Sequence, residues 1–237
     1  MEPNLVIIRH GQSQFNLQNR FAGWIDTDLT TEGENQAARA GELLKKQGFI
    51  PDVIFVSPFT RTKRTAKILF GHENFVIDAR LAERFYGDLS GKNKEETLKL
   101  VGDDMFLKIR RGYETQPPAI AQDNKELATV TEVFNKLIKG TFTDTLPPTE
   151  SLKDVETRVI PFYNEHLAPA LKAGKKVMIV AHGNSLRALI KIIKQVPADA
   201  IATVELETAQ PAGFVVDKDL KVKSDSVGKN FAEWANS

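Results

Sequence analysis

Two short apolar runs, far apart in the chain, each lead into the dipeptide His-Gly. The first is LVIIRHG (residues 5–11) and the second is VMIVAHG (residues 177–183). Runs of this length, rich in Val and Ile and bounded by Gly, are typical of buried parallel strands. Ligands bind beyond the carboxyl ends of the strands in open α/β sheets. We therefore expect His10 and His182 to lie in one crevice.

Strands and helices are predicted to alternate along most of the chain. Between and around the two His-Gly runs, apolar periodicity and Gly boundaries predict strands at 53–56 and 75–77 and helices at 31–48 and 152–174. Two further helices are predicted, one after residue 61 with apolar residues at 66, 68 and 69 and one marked by apolar residues from 186 to 193. Near the C-terminus, strands predicted at 201–206, 213–216 and 220–223 follow one another without helices between them. The sequence therefore predicts a three-layer α/β/α sandwich with a mostly parallel central sheet and an antiparallel edge.

The chain changes character between residues 83 and 150. A loop dense in charged and aromatic residues leads to two short predicted helices, the second of which ends near Arg111. A further helical stretch around 130–138 is framed by the proline pairs 117–118 and 147–148. We interpret this region as a helical insertion over the carboxyl edge of the sheet, within a single domain of residues 1–237.

Composition excludes several classes of protein. The chain has no cysteine, which excludes disulfides, Cys-ligated zinc and thiolate catalysis and fits a cytoplasmic location. A net charge of +1 over 237 residues provides no basic field for nucleic acid. No apolar run has the length of a membrane span, and the first residues lack the features of a signal peptide. We expect no nucleic-acid partner and no membrane partner.

The residues around the first His-Gly suit an anion such as phosphate. Arg9 offers a planar fork of donors, and Gly11 lets backbone N–H groups approach a ligand closely. Ser13 and Asn16 add neutral donors. Arg61 comes just after the second predicted strand, at a helix N-terminus that also favours an anion. These groups are expected at one edge of the sheet.

This donor set allows phosphoryl transfer through a histidine. A neutral ring nitrogen of one histidine can act as the nucleophile, and the other histidine and the arginines would stabilise charge on the transferring group. No metal-ligand cluster stands out in the sequence, so we expect no metal. Glu83 is the best candidate for the proton donor to the leaving oxygen, although composition does not separate it from Glu32, Glu34 or Glu150.

The motifs together resemble the histidine phosphatase superfamily and, within it, the cofactor-dependent phosphoglycerate mutases. In chain order, the main segments that carry the resemblance are RHGQSQFN (9–16), FAGWIDTDLT (21–30), ERFYG (83–87), NKEET (93–97), RRGY (110–113), TESL (149–152), RVIPFYNE (158–165) and AHGNSLRALIK (181–191). The RHG triplet alone is shared by many phosphatases, but these segments in this order are specific. The resemblance runs from residue 5 to about 211 and implies an α/β fold with a phosphohistidine mechanism.

The resemblance also implies roles for the matched residues. His10 would be the phosphorylated nucleophile, Glu83 the proton donor and acceptor, and His182 the residue that stabilises the transition state. The expected substrate-binding residues are Arg9, Ser13, Asn16, Ala22, Gly23, Arg61, Glu83, Arg84, Tyr86, Lys94, Arg110, Arg111, Gly183 and Asn184, of which Arg9 and Arg61 also surround the transferring phosphoryl group. Ala22 departs from the family, which usually has Ser or Thr there, so one hydroxyl donor is lost.

The placement of positive charge separates two enzyme functions. A glycerate that carries a carboxylate and a phosphate needs cationic contacts at both ends, which Lys94, Arg110 and Arg111 would supply, whereas a simple phosphatase needs them at one. The resemblance implies a glycolytic and gluconeogenic homodimer that interconverts 3- and 2-phosphoglycerate and is primed by 2,3-bisphosphoglycerate. The alternatives are a histidine phosphatase that hydrolyses small phosphoesters and a phospho-ligand-binding protein on the same fold.

Overall fold

The computed structural model describes residues 2–237, and a mixed sheet forms its centre. The sheet has six strands in the order β3-β2-β4-β1-β5-β6. They are β1 (Leu5–Arg9), β2 (Val53–Val56), β3 (Val76–Ile77), β4 (Val177–Ala181), β5 (Pro211–Val216) and β6 (Val222–Asp225). Strands β1 to β4 run parallel, whereas β5 and β6 are antiparallel to their neighbours. The predicted mostly parallel sheet with an antiparallel edge is confirmed.

Helices cover both faces of this sheet. They are α1 (Gln14–Leu17), α2 (Thr31–Lys46), α3 (Thr60–Phe70), α4 (Lys94–Val101), α5 (Asp103–Arg111), α6 (Leu127–Leu137), α7 (Leu152–Phe162), α8 (Ala168–Lys172), α9 (Gly183–Lys194) and α10 (Phe231–Ala235). Successive side chains of a strand point to opposite faces. Accordingly, Leu5 and Ile7 of β1 pack in the core with α7 and α9, and Val6 and Ile8 pack with α2, α3 and α10. The three-layer α/β/α sandwich is confirmed.

The region between β3 and α7 contains α4, α5 and α6, and two apolar clusters hold it against the 21–30 segment. Trp24 is fully buried, and its ring stacks on Phe85 and Phe134 with centroid distances of 5.0 and 6.2 Å. A smaller cluster joins Phe21 to Leu89 and to Ile109 of α5. These aromatic and apolar contacts stabilise the packing of the insertion against the 21–30 segment, beside the carboxyl edge of the sheet.

The prediction of a strand at 201–206 is wrong. The structure has a 3₁₀ turn at Ile201–Thr203, followed by a segment that joins no named strand. Its carbonyls accept hydrogen bonds from arginines instead, from Arg187 Nη2 to Ile201 at 2.9 Å and from Arg9 Nη1 to Leu206 at 3.0 Å. The apolar residues of the segment still pack on the core, which produces the alternating pattern of a strand.

The helix predicted at 152–174 is interrupted. After α7, a π-helical turn covers Tyr163–Leu167 and leads into α8. Pro161 lies inside α7 and has no N–H for the carbonyl of Thr157, so the regular ladder is broken just before the π turn. Within the described residues 2–237, no helix is both long enough and apolar enough to cross a membrane.

Candidate active site

The register of two neighbouring strands brings the two histidines together. Strands β1 and β4 pair in parallel with Arg9 opposite Ala181, and each strand ends one residue before its histidine. The rings of His10 and His182 are 5.1 Å apart between centroids and meet edge to face. Their residues are 3% and 0% exposed. The single crevice expected from the two His-Gly runs is therefore present.

The His10 ring is held in one tautomer. Its Nδ1 lies 2.7 Å from the carbonyl oxygen of Gly11, and a carbonyl can only accept, so Nδ1 carries the proton. Burial, and then the charges of Arg61 and Arg9, hold the pKa of His10 well below its usual 6.5. The ring is consequently neutral at pH 7, with a lone pair on Nε2, which is the state that a nucleophilic histidine requires.

The His182 ring is oriented by a residue that the sequence did not single out. Its Nε2 lies 2.8 Å from the hydroxyl oxygen of Ser57, which follows β2 directly. Its Nδ1 is buried and has no hydrogen-bond partner anywhere in residues 2–237. Burial, followed by the charge of Arg61, also lowers the pKa of His182 well below its usual range. When the hydroxyl donates to Nε2, the ring proton is on Nδ1, where it can donate to an oxyanion.

Two arginines are fixed by backbone carbonyls. Arg61, at the start of α3, donates from Nη1 to Ile25 at 3.1 Å and from Nη2 to Gly23 at 2.9 Å. Arg9 donates from Nη1 to Leu206 at 3.0 Å. Their Nε atoms are buried and lack partners within the described chain. Burial lowers the pKa of Arg61 to about 10, so its charge persists at neutral pH. Both Nε–H groups are available to an anion.

Glu83 lines the cavity and is held by hydrogen bonds to its side chain and its backbone. Its Oε1 accepts from the backbone N–H groups of Arg84 at 2.8 Å and Asn184 at 3.2 Å. Its carbonyl accepts from Trp24 Nε1 at 2.6 Å and from Arg158 Nη2 at 3.0 Å. The side chain and the backbone are thus both restrained, which suits a group that must transfer a proton at a fixed point.

The structure distinguishes Glu83 from the three other carboxylates that were candidates for the proton donor. Of the four, Glu83 lines the cavity between the histidines and the insertion. Glu32 and Glu34 form ion pairs on the outer side of α2. Glu150 is buried in an ion pair with Arg158 and does not belong to the described lining of the cavity.

The cavity has a volume of about 240 Å³ and an excess of positive charge. Among the described residues, its lining has seven cationic side chains and three carboxylates: Arg9, Arg20, Arg61, Lys94, Arg110, Arg111 and Arg187, with Glu83, Glu205 and Glu207. Enclosed charge of one sign raises the local concentration of ions of the opposite sign. The cavity therefore favours a small ligand with several negative charges. No group of three or more His, Asp or Glu side chains in residues 2–237 is placed to hold a metal ion.

The end of the cavity away from the histidines is built by the insertion. Lys94 begins α4, and its ammonium lies 5.8 Å from the centre of the Phe21 ring. Burial, followed by the charges of Arg110 and Arg9, lowers the pKa of Lys94 to about 8. A lysine in such surroundings gains from a nearby anion, because the anion restores the charge that burial disfavours.

Arg111 and Arg187 connect this end to α9. Arg111 forms an ion pair with Glu205, 2.7 Å from Nη2 to Oε1. Arg187 of α9 donates to the side-chain oxygen of Asn184 at 3.2 Å and to the carbonyls of Arg111 at 2.7 Å and Ile201 at 2.9 Å. One buried guanidinium therefore joins the end of α5, the start of α9 and the 201–207 segment.

The structure places the predicted substrate-binding residues around this one cavity, with a single exception. Those that line it are Arg9, Ser13, Asn16, Ala22, Gly23, Arg61, Glu83, Tyr86, Lys94, Arg110, Arg111, Gly183 and Asn184. Arg84 is fully buried, donates to the carbonyls of Ile109 and Arg110, and supports the end of α5 from behind.

Some lining residues were missed by sequence reasoning, and they are Arg20, Phe21, Arg187, Glu205, Leu206 and Glu207. Arg187 lies inside the AHGNSLRAL motif, so the motif itself contained a signal for it. Glu205 had no such signal, because its segment at 201–206 was predicted to be a strand, and Glu207 directly follows that segment.

The fold and the paired histidines define a class of phosphoryl-transfer protein. A family model described as the histidine phosphatase superfamily (branch 1) matches residues 5–141 and 122–220, and the chain belongs to this superfamily. The chain is similar to the 2,3-bisphosphoglycerate-dependent phosphoglycerate mutase of Caulobacter sp. (strain K31). The two are 45% identical over 224 residues, which cover 92% of this chain and 92% of the relative.

Solved structures of lower identity share the fold. Mycobacterial glucosyl-3-phosphoglycerate phosphatase, in a complex with VO3, is 24% identical with a TM-score of 0.72 over 95% of this chain and 98% of that one. The alpha-ribazole phosphatase of Shigella flexneri is 18% identical with a TM-score of 0.63 over 92% of each chain. These two likenesses support the architecture, and the choice of reaction depends on the site.

Proposed function

We propose that this chain is a 2,3-bisphosphoglycerate-dependent phosphoglycerate mutase that interconverts 3- and 2-phosphoglycerate. The observation that carries the proposal is a cavity with two cationic ends. One end has Arg61 and His10, whose ring packs against that of His182, and the other has Lys94 and Arg110. A ligand with a phosphate at one end and a second anionic group at the other satisfies both. The Caulobacter relative supports the same assignment through its name.

In the proposed reaction, the phosphoryl group passes through His10. Nε2 of phosphorylated His10 loses the phosphoryl group to a glycerate hydroxyl, and Glu83 accepts the proton of that hydroxyl. In the second half, Nε2 attacks the other phosphate of the bound glycerate, and Glu83 returns the proton to the oxygen that leaves. Arg9, Arg61 and His182 stabilise charge on the oxygens of the transferring group.

The residues present fit the proposed primer. At the reactive end, Nε of Arg9, Nε of Arg61 and Nδ1 of His182 are buried donors with no partner in the described chain. At the other end, Lys94 and Arg110 have lowered pKa values because they are buried, and an anionic group relieves this cost. When bound, 2,3-bisphosphoglycerate supplies the phosphoryl group that His10 carries at the start of a cycle.

A primer-dependence assay tests the proposal. The protein is incubated with 3-phosphoglycerate, with and without 2,3-bisphosphoglycerate, in the presence of EDTA. We expect primer-stimulated formation of 2-phosphoglycerate that EDTA does not abolish, and an acid-labile phosphoryl group on the protein. His10→Gln should remove both signals, and His72→Gln, at an exposed histidine outside the cavity, is the matched control.

The same assay distinguishes the phosphatase alternative. Release of inorganic phosphate from small esters without primer, faster than any isomerisation, would support hydrolysis and contradict the mutase proposal. The cationic far end argues for the mutase, because a hydrolase for simple esters needs positive charge at the reacting phosphate only.

We also propose a homodimer, following the family resemblance. Val76 and Ile77 on the edge strand β3 are 46% and 51% exposed, and an exposed apolar edge strand is a surface that a second chain can cover. Light scattering across a dilution series tests this proposal, and a monomer at all concentrations would contradict it. A cytoplasmic location stays a prediction from the sequence.

A further inference from the structure

A carboxylate of the protein itself forms an ion pair with one of the cationic side chains at the far end of the cavity, the end away from the histidines. Glu205 Oε1 lies 2.7 Å from Arg111 Nη2. The Glu205 side chain is 71% exposed and that of Arg111 is 24% exposed, so Glu205 approaches Arg111 from the solvent side. In the proposed function, Arg111 belongs to the end that binds the second anionic group of the glycerate. Glu205 therefore stands where that group would compete for the same guanidinium.

The backbone that carries Glu205 is fixed, although its side chain is exposed. The carbonyl of the next residue, Leu206, accepts from Arg9 Nη1 at 3.0 Å, and the Ala209 N–H donates to the Arg9 carbonyl at 2.8 Å. Arg187 bonds the carbonyls of both Arg111 and Ile201, which sets the distance between α5 and this segment. Glu205 can thus rotate away from Arg111 without any movement of the backbone.

An exposed ion pair of this kind is weak, because solvent screens it and two long side chains must be ordered. A ligand group that brings a full negative charge to the same guanidinium can replace it. A ligand without such a group cannot, and it leaves the Glu205–Arg111 pair in place. Specificity is a difference between affinities, and the cost of displacing Glu205 falls only on a ligand with that group, so the pair reduces the preference for such a ligand.

We propose that Glu205 weakens the binding of the substrate and thereby the preference for it over ligands without a far anionic group: it holds Arg111 in the free protein and is displaced by that group of the substrate. The inference rests on the proposed function for the identity of that substrate. Glu207 provides an internal comparison. It lines the same cavity and carries the same charge, but it forms no ion pair with any side chain in the described part of the chain.

The test compares two matched variants with two ligands. Binding of 3-phosphoglycerate and of glycerol 3-phosphate, which has the same carbon chain without the carboxylate, is measured by calorimetry. The proteins are the wild type, Glu205→Gln and Glu207→Gln. We expect Glu205→Gln to tighten 3-phosphoglycerate binding by about two- to fivefold, the range that corresponds to an exposed pair, and to leave glycerol 3-phosphate unchanged. In turnover, KM should fall by the same factor as Kd, with a smaller change in kcat.

Each other outcome has a definite meaning. Equal tightening of both ligands, or equal effects of both variants, would show a general charge effect and overturn the inference. An unchanged affinity of Glu205→Gln for 3-phosphoglycerate would overturn it as well. The proposed function is judged separately by isomerisation. A protein that discriminates the two ligands as expected but forms no 2-phosphoglycerate would retain the inference about Glu205 and lose the mutase assignment.

Discussion

At the scale of single residues, protonation decides when the cavity can react. His10 and His182 are buried beside arginines, and both effects disfavour the charged ring. A histidine whose pKa is lowered takes up its proton only when the pH falls through that lowered value. Both rings therefore stay neutral through the range in which a free histidine titrates.

Proton NMR of the ligand-free protein measures this directly. We expect the ring signals of His10 and His182, assigned with His10→Gln and His182→Gln, to stay constant from pH 8 down to the usual pKa of 6.5. Free histidine in the same buffer is the reference. A midpoint near that of free histidine would contradict a neutral His10 and the nucleophile role proposed for it.

Lys94 gives ligand binding at the far end a pH dependence on the alkaline side. Its pKa of about 8 means that it loses its charge as the pH rises through that value. Binding of 3-phosphoglycerate at pH 9 must then take up a proton, so we expect about tenfold weaker binding at pH 9 than at pH 7. Lys94→Arg keeps its charge at both pH values and should remove most of this difference in a calorimetric titration. A similar pH dependence in both proteins would assign it to another group.

At the scale of elements, a buried ion pair joins α7 to the loop that carries Glu83. Arg158 Nε lies 2.8 Å from Glu150 Oε1, with both side chains almost fully buried. Arg158 also donates to the Glu83 carbonyl, and Glu150 Oε2 accepts from the Phe85 N–H at 2.8 Å. The position of Glu83 thus depends on a charge pair outside the cavity.

Removal of one partner of this pair leaves the other charge buried and unpaired. We expect Glu150→Ala to lower the free energy of unfolding by about 3–5 kcal/mol in urea titrations. Glu165→Ala is the control, since the Glu165 side chain is 61% exposed and pairs with Arg80 at the surface. Its loss should be about 0–1 kcal/mol. Equal losses would show that burial does not strengthen the Glu150–Arg158 contact.

Two glycines allow the His10 loop to pack directly on α2. A Cβ on Gly11 would lie 2.3 Å from the Gly33 carbonyl oxygen, and a Cβ on Gly33 would lie 2.1 Å from the Gln12 carbonyl oxygen. Both contacts are with backbone, which cannot rotate away. Gly11→Ala and Gly33→Ala should each destabilise the fold by about 1–3 kcal/mol through overpacking.

Because the two glycines share one interface, the double variant should lose less than the sum of the single losses. The free energies of unfolding are again measured in urea. Additive losses would show that the two sites are independent and contradict the shared contact.

The sequence predicted the elements whose signal is local. The two apolar runs that end in His-Gly contain both strand and histidine, so the pairing of β1 with β4 and the crevice at their ends followed from them. The prediction at 201–206 failed because apolar and polar residues alternate from Ala202 to Leu206 as in a strand, while the hydrogen-bond partners of the segment are distant arginines. Arg187 was predicted only as part of a helix, since its role depends on contacts made after folding.

At the scale of the whole molecule, the C-terminal residues complete the core. Phe231 and Trp234 of α10 are buried against the sheet, and a Cβ on Gly213 would lie 2.5 Å from the Trp234 ring. The indole N–H of Trp234 donates to the Ser224 hydroxyl at 2.8 Å. In the described chain, no residue of α10 lines the cavity. The sequence alone could not show this, because a short tail can cover either a site or a sheet.

Trp234→Ala should therefore act on stability. We expect a loss of about 3–5 kcal/mol in the free energy of unfolding, from burial and from the space that the ring leaves. The affinity for 3-phosphoglycerate, measured under conditions in which the variant is folded, should stay close to that of the wild type. Leu100→Ala, at a side chain that is 84% exposed, is the control and should cost less than about 0.5 kcal/mol. A large loss of affinity in Trp234→Ala would place the tail at the site.

The two ends of the cavity come from different segments of the chain, and this gives a route to enzymes with altered substrate preference. The groups proposed to react follow β1, β2, β3 and β4, whereas Lys94, Arg110, Arg111, Glu205 and Glu207 come from residues 94–111 and 201–207. A library that varies only those two ranges leaves the histidine pair, Arg61 and the glycine interface intact. Every member could then be screened by one signal, the proposed phosphorylation of His10, before its preferred ester is known.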